Sequence, residues 1–91
     1  MVLRHYNIIV KGKVQHVAYR VWAQATAQKL GLTGLVKNKH NGDVYIEVEG
    51  KEDAINQFID LCYVGSPLSK VLEVIAEEQI VKNMETFELK R

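Results

Sequence analysis

The chain has 91 residues, 47% of them hydrophobic and 25% charged, with acids and bases interleaved to a formal net charge of +1. A chain of this length carries one core, burying roughly 60–68% of its unfolded surface, which is enough for two packed layers without disulfides. These values exclude wholesale disorder, and the near-neutral charge excludes the basic footprint of a nucleic-acid or anionic-membrane binder.

The single cysteine, Cys62, excludes an internal disulfide, a CxxC redox pair and a thiolate metal site. Beside Phe58, Ile59 and Leu61 it reads as a small buried apolar residue. The opening "MVLRHYNIIV" is too short an apolar stretch for a signal peptide, and no run approaches the roughly 20 residues of a membrane span. A soluble, cytoplasmic protein of one domain over residues 1–91 is expected.

In chain order, the β-branched "YNIIVKG" predicts a strand from about Tyr6 to Lys11, ending at Gly12. From about Val17 to Leu30 the period changes: Tyr19, Ala23, Ala27 and Leu30 share one helical face, and Gly31 supplies the stop. "TGLVKN" predicts a second strand and "DVYIEVEG" a third. In the third, Val44, Ile46 and Val48 alternate with Asp43, Tyr45, Glu47 and Glu49, which predicts one buried face and one wet face. Asn41-Gly42 between them is a hairpin signal, since both residues tolerate positive φ. "KEDAINQFIDLCYVG" predicts a second helix, with Glu52 and Asp53 at the positive end of its dipole and Ile55, Phe58, Ile59 and Cys62 as its apolar stripe. A fourth strand follows in "SKVLEVIAEEQIV", and "ETFELKR" offers a short closing strand. The order is β-α-β-β-α-β. This is an α+β sandwich with two helices on one face of a four-stranded antiparallel sheet, an architecture that hosts many functions.

Several chemistries lack their parts. There is no Walker sequence, GxGxxG, HExxH or nucleophile elbow, and His5, His16 and His40 are not at metal-ligand spacing. The pair Glu47/Glu49 alternates outward on a strand and reads as a solvated face. What remains is "GKVQHVAYR", residues 12–20. The free backbone N–H groups of a loop feeding a helix, together with the helix dipole, suit an anion such as phosphate. Arg20 in the first turn can fold over that cradle and hold two oxygens at once. From position alone, a solvated arginine stays an open alternative, as does an Asn38 that merely caps its turn.

"VKGKVQHVAYR" resembles the first signature of the acylphosphatases, V-x-G-x-V-Q-G-V-x-F-R, through Val10, Gly12, Val14, Gln15, Val17 and Arg20. "GLVKNKHNGDVYIEVEG" is similar to the second, G-W-V-x-N-x-x-x-G-x-V-x-x-x-x-x-G, through Gly34, Val36, Asn38, Gly42, Val44 and Gly50. "GSPLSKV", residues 65–71, resembles the family's turn after the second helix. The resemblance implies the ferredoxin-like fold and hydrolysis of the carboxyl–phosphate bond of acyl phosphates, without metal or cofactor. It implies that Arg20 and the backbone amides of Gln15, His16, Val17, Ala18, Tyr19 and Arg20 hold the phosphate, and that Asn38 positions the attacking water. Inorganic phosphate is then both product and inhibitor, and the protein a monomer with no nucleic-acid or membrane partner.

The chemistry explains why few parts suffice. The leaving carboxylate has a conjugate acid of pKa about 4 and needs no general acid. Phosphoryl transfer asks mainly for in-line positioning and neutralised charge.

Three positions depart from the pattern: His16 for glycine, Tyr19 for phenylalanine and Leu35 for an aromatic. Histidine tolerates the left-handed region at a cost of about 1 kcal/mol and keeps its amide, so activity is expected to survive. A non-catalytic anion-binding module, with turnover spoiled by His16, is the alternative. An RNA-binding or metal-carrier domain on this scaffold lacks its basic face or its CxxC.

Overall fold

The computed structural model describes residues 2–91. Its elements run β1 (Leu3–Lys13), α1 (Tyr19–Lys29), β2 (Thr33–Asn38), β3 (Val44–Lys51), α2 (Glu52–Cys62), β4 (Lys70–Gln79) and β5 (Phe87–Leu89). The sheet order is β4-β1-β3-β2-β5. The ferredoxin-like arrangement therefore stands, with one addition to the expected four antiparallel strands. After β4 the chain runs over the sheet and returns beside β2, pairing Gly34 with Phe87 and Val36 with Leu89 in parallel. Three residues are too few to show an alternation, so the partner and direction of β5 are settled only by this return path.

The core lies between the sheet and the helices. Ile8 and Val10 of β1, Val36 of β2 and Val44, Ile46 and Val48 of β3 are buried, as are Tyr19, Ala23, Ala27, Ile55, Phe58 and Cys62 from the helices. Period 2 on the strands and period 3.6 on the helices place these residues on facing surfaces. Burial pushes the Cys62 thiol up to about 12, as an inert apolar role requires.

Gly12 permits the one irregularity in the β1–β4 ladder. The register shifts between Lys11 and Gly12, leaving Leu72 without a partner and 84% exposed. A Cβ on Gly12 would collide with the Lys70 carbonyl oxygen and lie 2.8 Å from the Leu72 nitrogen, so the bulge needs glycine there. The bulge also breaks the regularity of an exposed edge strand.

The far face of the sheet differs from expectation. Glu47 and Glu49 are only 7% and 2% exposed, and His5 is fully buried between them. His5 Nδ1 lies 3.0 Å from Glu49 Oε1 and Nε2 lies 3.0 Å from Glu47 Oε1. The connection from β4 to β5 covers the group: the backbone N–H groups of Lys82 and Met84 each donate to Glu49 at 2.7 Å, and Lys82 Nζ donates to Glu47 at 2.8 Å. Tyr45 adds its hydroxyl to Glu47 at 2.8 Å. The alternation correctly separated the two faces, but the cover comes from a segment some 30 residues away that local periodicity does not report.

Burial pushes both carboxyls up, but the hydrogen bonds and neighbouring charge outweigh it. Glu47 is held below the usual carboxylate range by Lys82, Tyr45 and His5, and Glu49 by the Lys82 amide, His5 and the Met84 amide. A depressed folded pKa contributes stability above the unfolded value, here about 4.5, and loses it as pH falls through the folded value. The urea midpoint should therefore hold from neutral pH to about pH 5 and drop below it. Glu49→Gln should start lower at neutral pH and show a shallower acid slope. A midpoint independent of pH between 6 and 3 in the unsubstituted chain would contradict this account of the far face.

Candidate active site

At the end of β1 the chain enters two left-handed residues in close succession, His16 at φ 61° and Ala18 at φ 60°. Only the first was foreseeable from its place in the motif. Ala18 is the N-cap of α1 and makes no side-chain cap, and α1 has no acid in its first turn. The helix therefore starts at Tyr19 rather than near Val17. Its first backbone bond runs from Trp22 N–H to the Ala18 carbonyl at 3.0 Å. Among the described residues, no backbone N–H from Gln15 to Val21 donates to a backbone carbonyl in the loop and cap bonds. The helix dipole adds positive character at the same point. By contrast, α2 begins with Glu52 and Asp53, which answer its dipole internally.

The loop is supported from below by the turn after α2. Ser66 Oγ donates to the Val17 carbonyl at 2.7 Å, and Ser69 Oγ donates to the Ser66 carbonyl at 2.7 Å. Gly65 lies flat against Tyr19, since a Cβ there would sit 2.6 Å from the ring. The Tyr19 hydroxyl donates to the Cys62 carbonyl at 2.7 Å, and burial raises its pKa. The tyrosine that replaces phenylalanine thus keeps the ring's packing and gives its hydroxyl a buried partner.

Arg20 is half-buried, and its Nη1 donates to the Lys90 carbonyl at 2.6 Å. Lys90 is itself tied to β2, its N–H donating to the Val36 carbonyl at 2.8 Å. One of the five guanidinium donors is engaged there. Among the described residues no carboxylate pairs with Arg20, so its charge is uncompensated within the chain. This anchor could not be found in the sequence, because it uses a backbone carbonyl next to a three-residue strand.

Asn38 ends β2, and its Oδ1 is buried with no hydrogen-bond partner among the described residues. An asparagine capping its own turn would have used that atom. The turn is instead closed by its neighbour: Asn41 Oδ1 accepts from the Asp43 N–H at 3.1 Å, and Gly42 N–H donates to the Lys39 carbonyl at 3.2 Å. Of Asn41 and Gly42, only Gly42 takes positive φ.

Arg20 and Asn38 meet in a recess of about 140 Å³, lined with Val14, His16, Ala18, Tyr19 and Val21. Gln15 and Val17 flank it from the loop. A larger recess of about 240 Å³ lies at the opposite ends of the strands, near Leu3, Thr33 and Met84. Glu49 lines that one, and a carboxylate held ionised there disfavours an anion. Among the described residues no group of three or more His, Cys, Asp or Glu is placed to hold a metal, and no helix is long and apolar enough to cross a membrane.

Known proteins carry the same frame. The chain is 43% identical over 83 residues to an acylphosphatase of Bacillus licheniformis, covering 91% of this chain and 90% of that one. A crystal structure of acylphosphatase from Bacillus subtilis matches with a TM-score of 0.94 at 37% identity, covering 99% of this chain and 100% of that one. An acylphosphatase structure from Coxiella burnetii matches with a TM-score of 0.94 at 33% identity, over 97% and 93% of the two chains. The acylphosphatase family model spans residues 6–89. On this agreement of sequence and fold, the chain belongs to the acylphosphatase family.

Proposed function

We propose that the recess at the start of α1 is where this acylphosphatase cleaves its acyl phosphate, with the backbone amides of residues 15–20 and Arg20 holding the phosphoryl group and Asn38 orienting the water. The activity is that of the family: an acyl phosphate and water give a carboxylate and inorganic phosphate. The observation that supports the residue roles is the convergence on one small space of free loop amides, an unpaired guanidinium charge and the Asn38 side chain.

Each part meets one demand of the reaction. The amides and Arg20 offset charge on the three equatorial oxygens as the P–O bond to the carboxylate lengthens. The Asn38 side-chain amide holds the water by a hydrogen bond, which fixes a lone pair on the line of attack. The water oxygen forms the new P–O bond, and the bonding pair of the old one leaves on the carboxylate. One water proton passes to a phosphate oxygen and the other stays on the attacking oxygen, so a dianionic substrate gives a carboxylate and dihydrogen phosphate with no side-chain base. His16 contributes its amide and its left-handed backbone, and its exposed ring takes no part. We further take residues 1–91 to act as one cytoplasmic, monomeric domain that needs no metal or cofactor and has no nucleic-acid or membrane partner.

Arg20→Ala should lose phosphate affinity and turnover together. Asn38→Ala should lose about 10²–10³-fold in kcat with little change in the inhibition constant of phosphate. An Asn38→Ala enzyme running at the wild-type rate would remove Asn38 from this role. Inorganic phosphate should inhibit competitively, and rates should be unchanged after exhaustive treatment with EDTA. A rate abolished by EDTA and restored by a divalent cation would reverse the cofactor-free reading. His16→Gly should hydrolyse an aromatic acyl phosphate within about tenfold of the wild type, since only about 1 kcal/mol of backbone energy separates the two residues at φ 61°. An inactive wild type beside an active His16→Gly would instead favour the non-catalytic anion-binding module.

A further inference from the structure

The side chain of Gln15 points away from the phosphate cradle that its own amide joins. Its Nε2 donates to two carbonyls of the β2–β3 connection, Lys39 at 2.7 Å and Asp43 at 2.9 Å. These two residues form the neck of that loop: Lys39 N–H donates to the Asp43 carbonyl at 2.8 Å, and Lys39 follows Asn38 directly. One amide group therefore clips both sides of the hairpin end to the cradle.

Beyond the ends of the sheet ladders, side chains make the remaining links between the two. Asn38 is held by its ladder pairing with Val44. The hairpin end is also tied to β1, by the ladder pairs Ile9–Tyr45 and Val10–Val44 and by the ion pair of Lys11 Nζ with Asp43 Oδ2 at 2.8 Å, whose lysine is 41% exposed and screened by solvent. The tip residues Lys39, His40 and Asn41 are exposed. The β2–β3 ladder fixes Asn38 relative to the sheet, whereas the cradle is fixed relative to α1 and the turn at Ser66. The Gln15 side chain spans the gap between these two supports.

We propose that Gln15 is a positioning residue for hydrolysis, setting the distance and direction of Asn38 relative to the phosphoryl group bound by the loop amides. The proposal rests on the reading that Asn38 orients the water. Binding of phosphate needs only the cradle and Arg20; attack needs the cradle and Asn38 in register. Loss of the clip therefore lowers the rate of the bound substrate and leaves phosphate binding in place. Two donors meeting two carbonyls also make the clip specific to an amide. A carboxylate at the same place faces two oxygens with no proton to offer, and on protonation it regains one donor.

Gln15→Leu, Gln15→Glu and Asn38→Ala are assayed beside the wild type with an aromatic acyl phosphate, with inorganic phosphate as competitive inhibitor. In both Gln15 variants kcat should fall about ten- to a hundredfold, the loss typical of a small misplacement of reacting groups. The phosphate inhibition constant should stay within about twofold. The ratio of Gln15→Glu to wild-type kcat should rise as pH falls from 8 towards 5, while the ratio for Gln15→Leu stays flat. That rise within one folded sample distinguishes positioning from a general loss of structure. Wild-type kcat in both Gln15 variants, alongside a collapsed Asn38→Ala, would overturn the role of Gln15 and leave that of Asn38 intact. A phosphate inhibition constant that rises in step with the loss of kcat would also overturn it, by making the side chain a brace of the cradle alone. A fully active Asn38→Ala would remove the water-orienting role and this inference with it.

Discussion

The backbone N–H groups at the junction of β1 and α1 are the constraint around which the molecule is arranged. A helix must begin with donors that it cannot satisfy itself, and here the left-handed pair His16 and Ala18 turns the preceding loop so that its amides join them. No serine, aspartate or asparagine caps the helix, and no acid answers its dipole. Donors left unpaired within the chain cost free energy, and under the proposed function that same deficit is what the phosphoryl group relieves. The recess is thus built by what the chain withholds as much as by what it places there. The surrounding structure keeps the strained loop from relaxing: Ser66 holds the Val17 carbonyl, Gly65 lies under Tyr19, and the Tyr19 hydroxyl reaches the Cys62 carbonyl.

Charge is sorted between the two faces and ends of the sheet in the way this site demands. The cradle end has an uncompensated guanidinium and no carboxylate lining its recess. The buried acids Glu47 and Glu49 sit on the far face, where His5, Lys82 and two backbone amides hydrogen-bond them. A buried acid cluster next to the recess would oppose a phosphate through a poorly screened medium. On the far face it serves instead to pin the β4–β5 connection. That connection carries β5 to the side of β2, and the residue after β5 supplies the carbonyl that receives Arg20. The far-face cluster and the arginine are therefore linked through the path of the chain, although they touch at no point.

Several features were legible in the residues themselves. The alternation of Val44, Ile46 and Val48 and the helical spacing of Tyr19, Ala23 and Ala27 assigned the core correctly, because period alone decides which side chains share a surface. The two long signatures fixed the family, and the glycine position that His16 fills in the first of them pointed to positive φ or a close backbone approach, of which the structure shows the positive φ. The same reasoning misjudged Glu47 and Glu49, since alternation separates two faces without saying what covers the second. Asn41-Gly42 marked the hairpin correctly, with Gly42 taking the positive φ and the asparagine serving through its side chain.

The sequence by itself determined the order of elements, the identity of the core and, through its two signatures, the family. These are local properties, carried by spacing along the chain and by the chemistry of each side chain. Only the tertiary structure decided that β5 runs parallel to β2, that Arg20 rests on the Lys90 carbonyl, that Ala18 is left-handed, and that the Gln15 side chain clips the Asn38 hairpin. Each of these joins groups through backbone atoms or across 24 to 70 residues of chain, apart from Ala18, whose conformation is imposed on a residue with no preference for it. Backbone donors and acceptors are the same at every position, so no pattern of side chains announces which of them will meet.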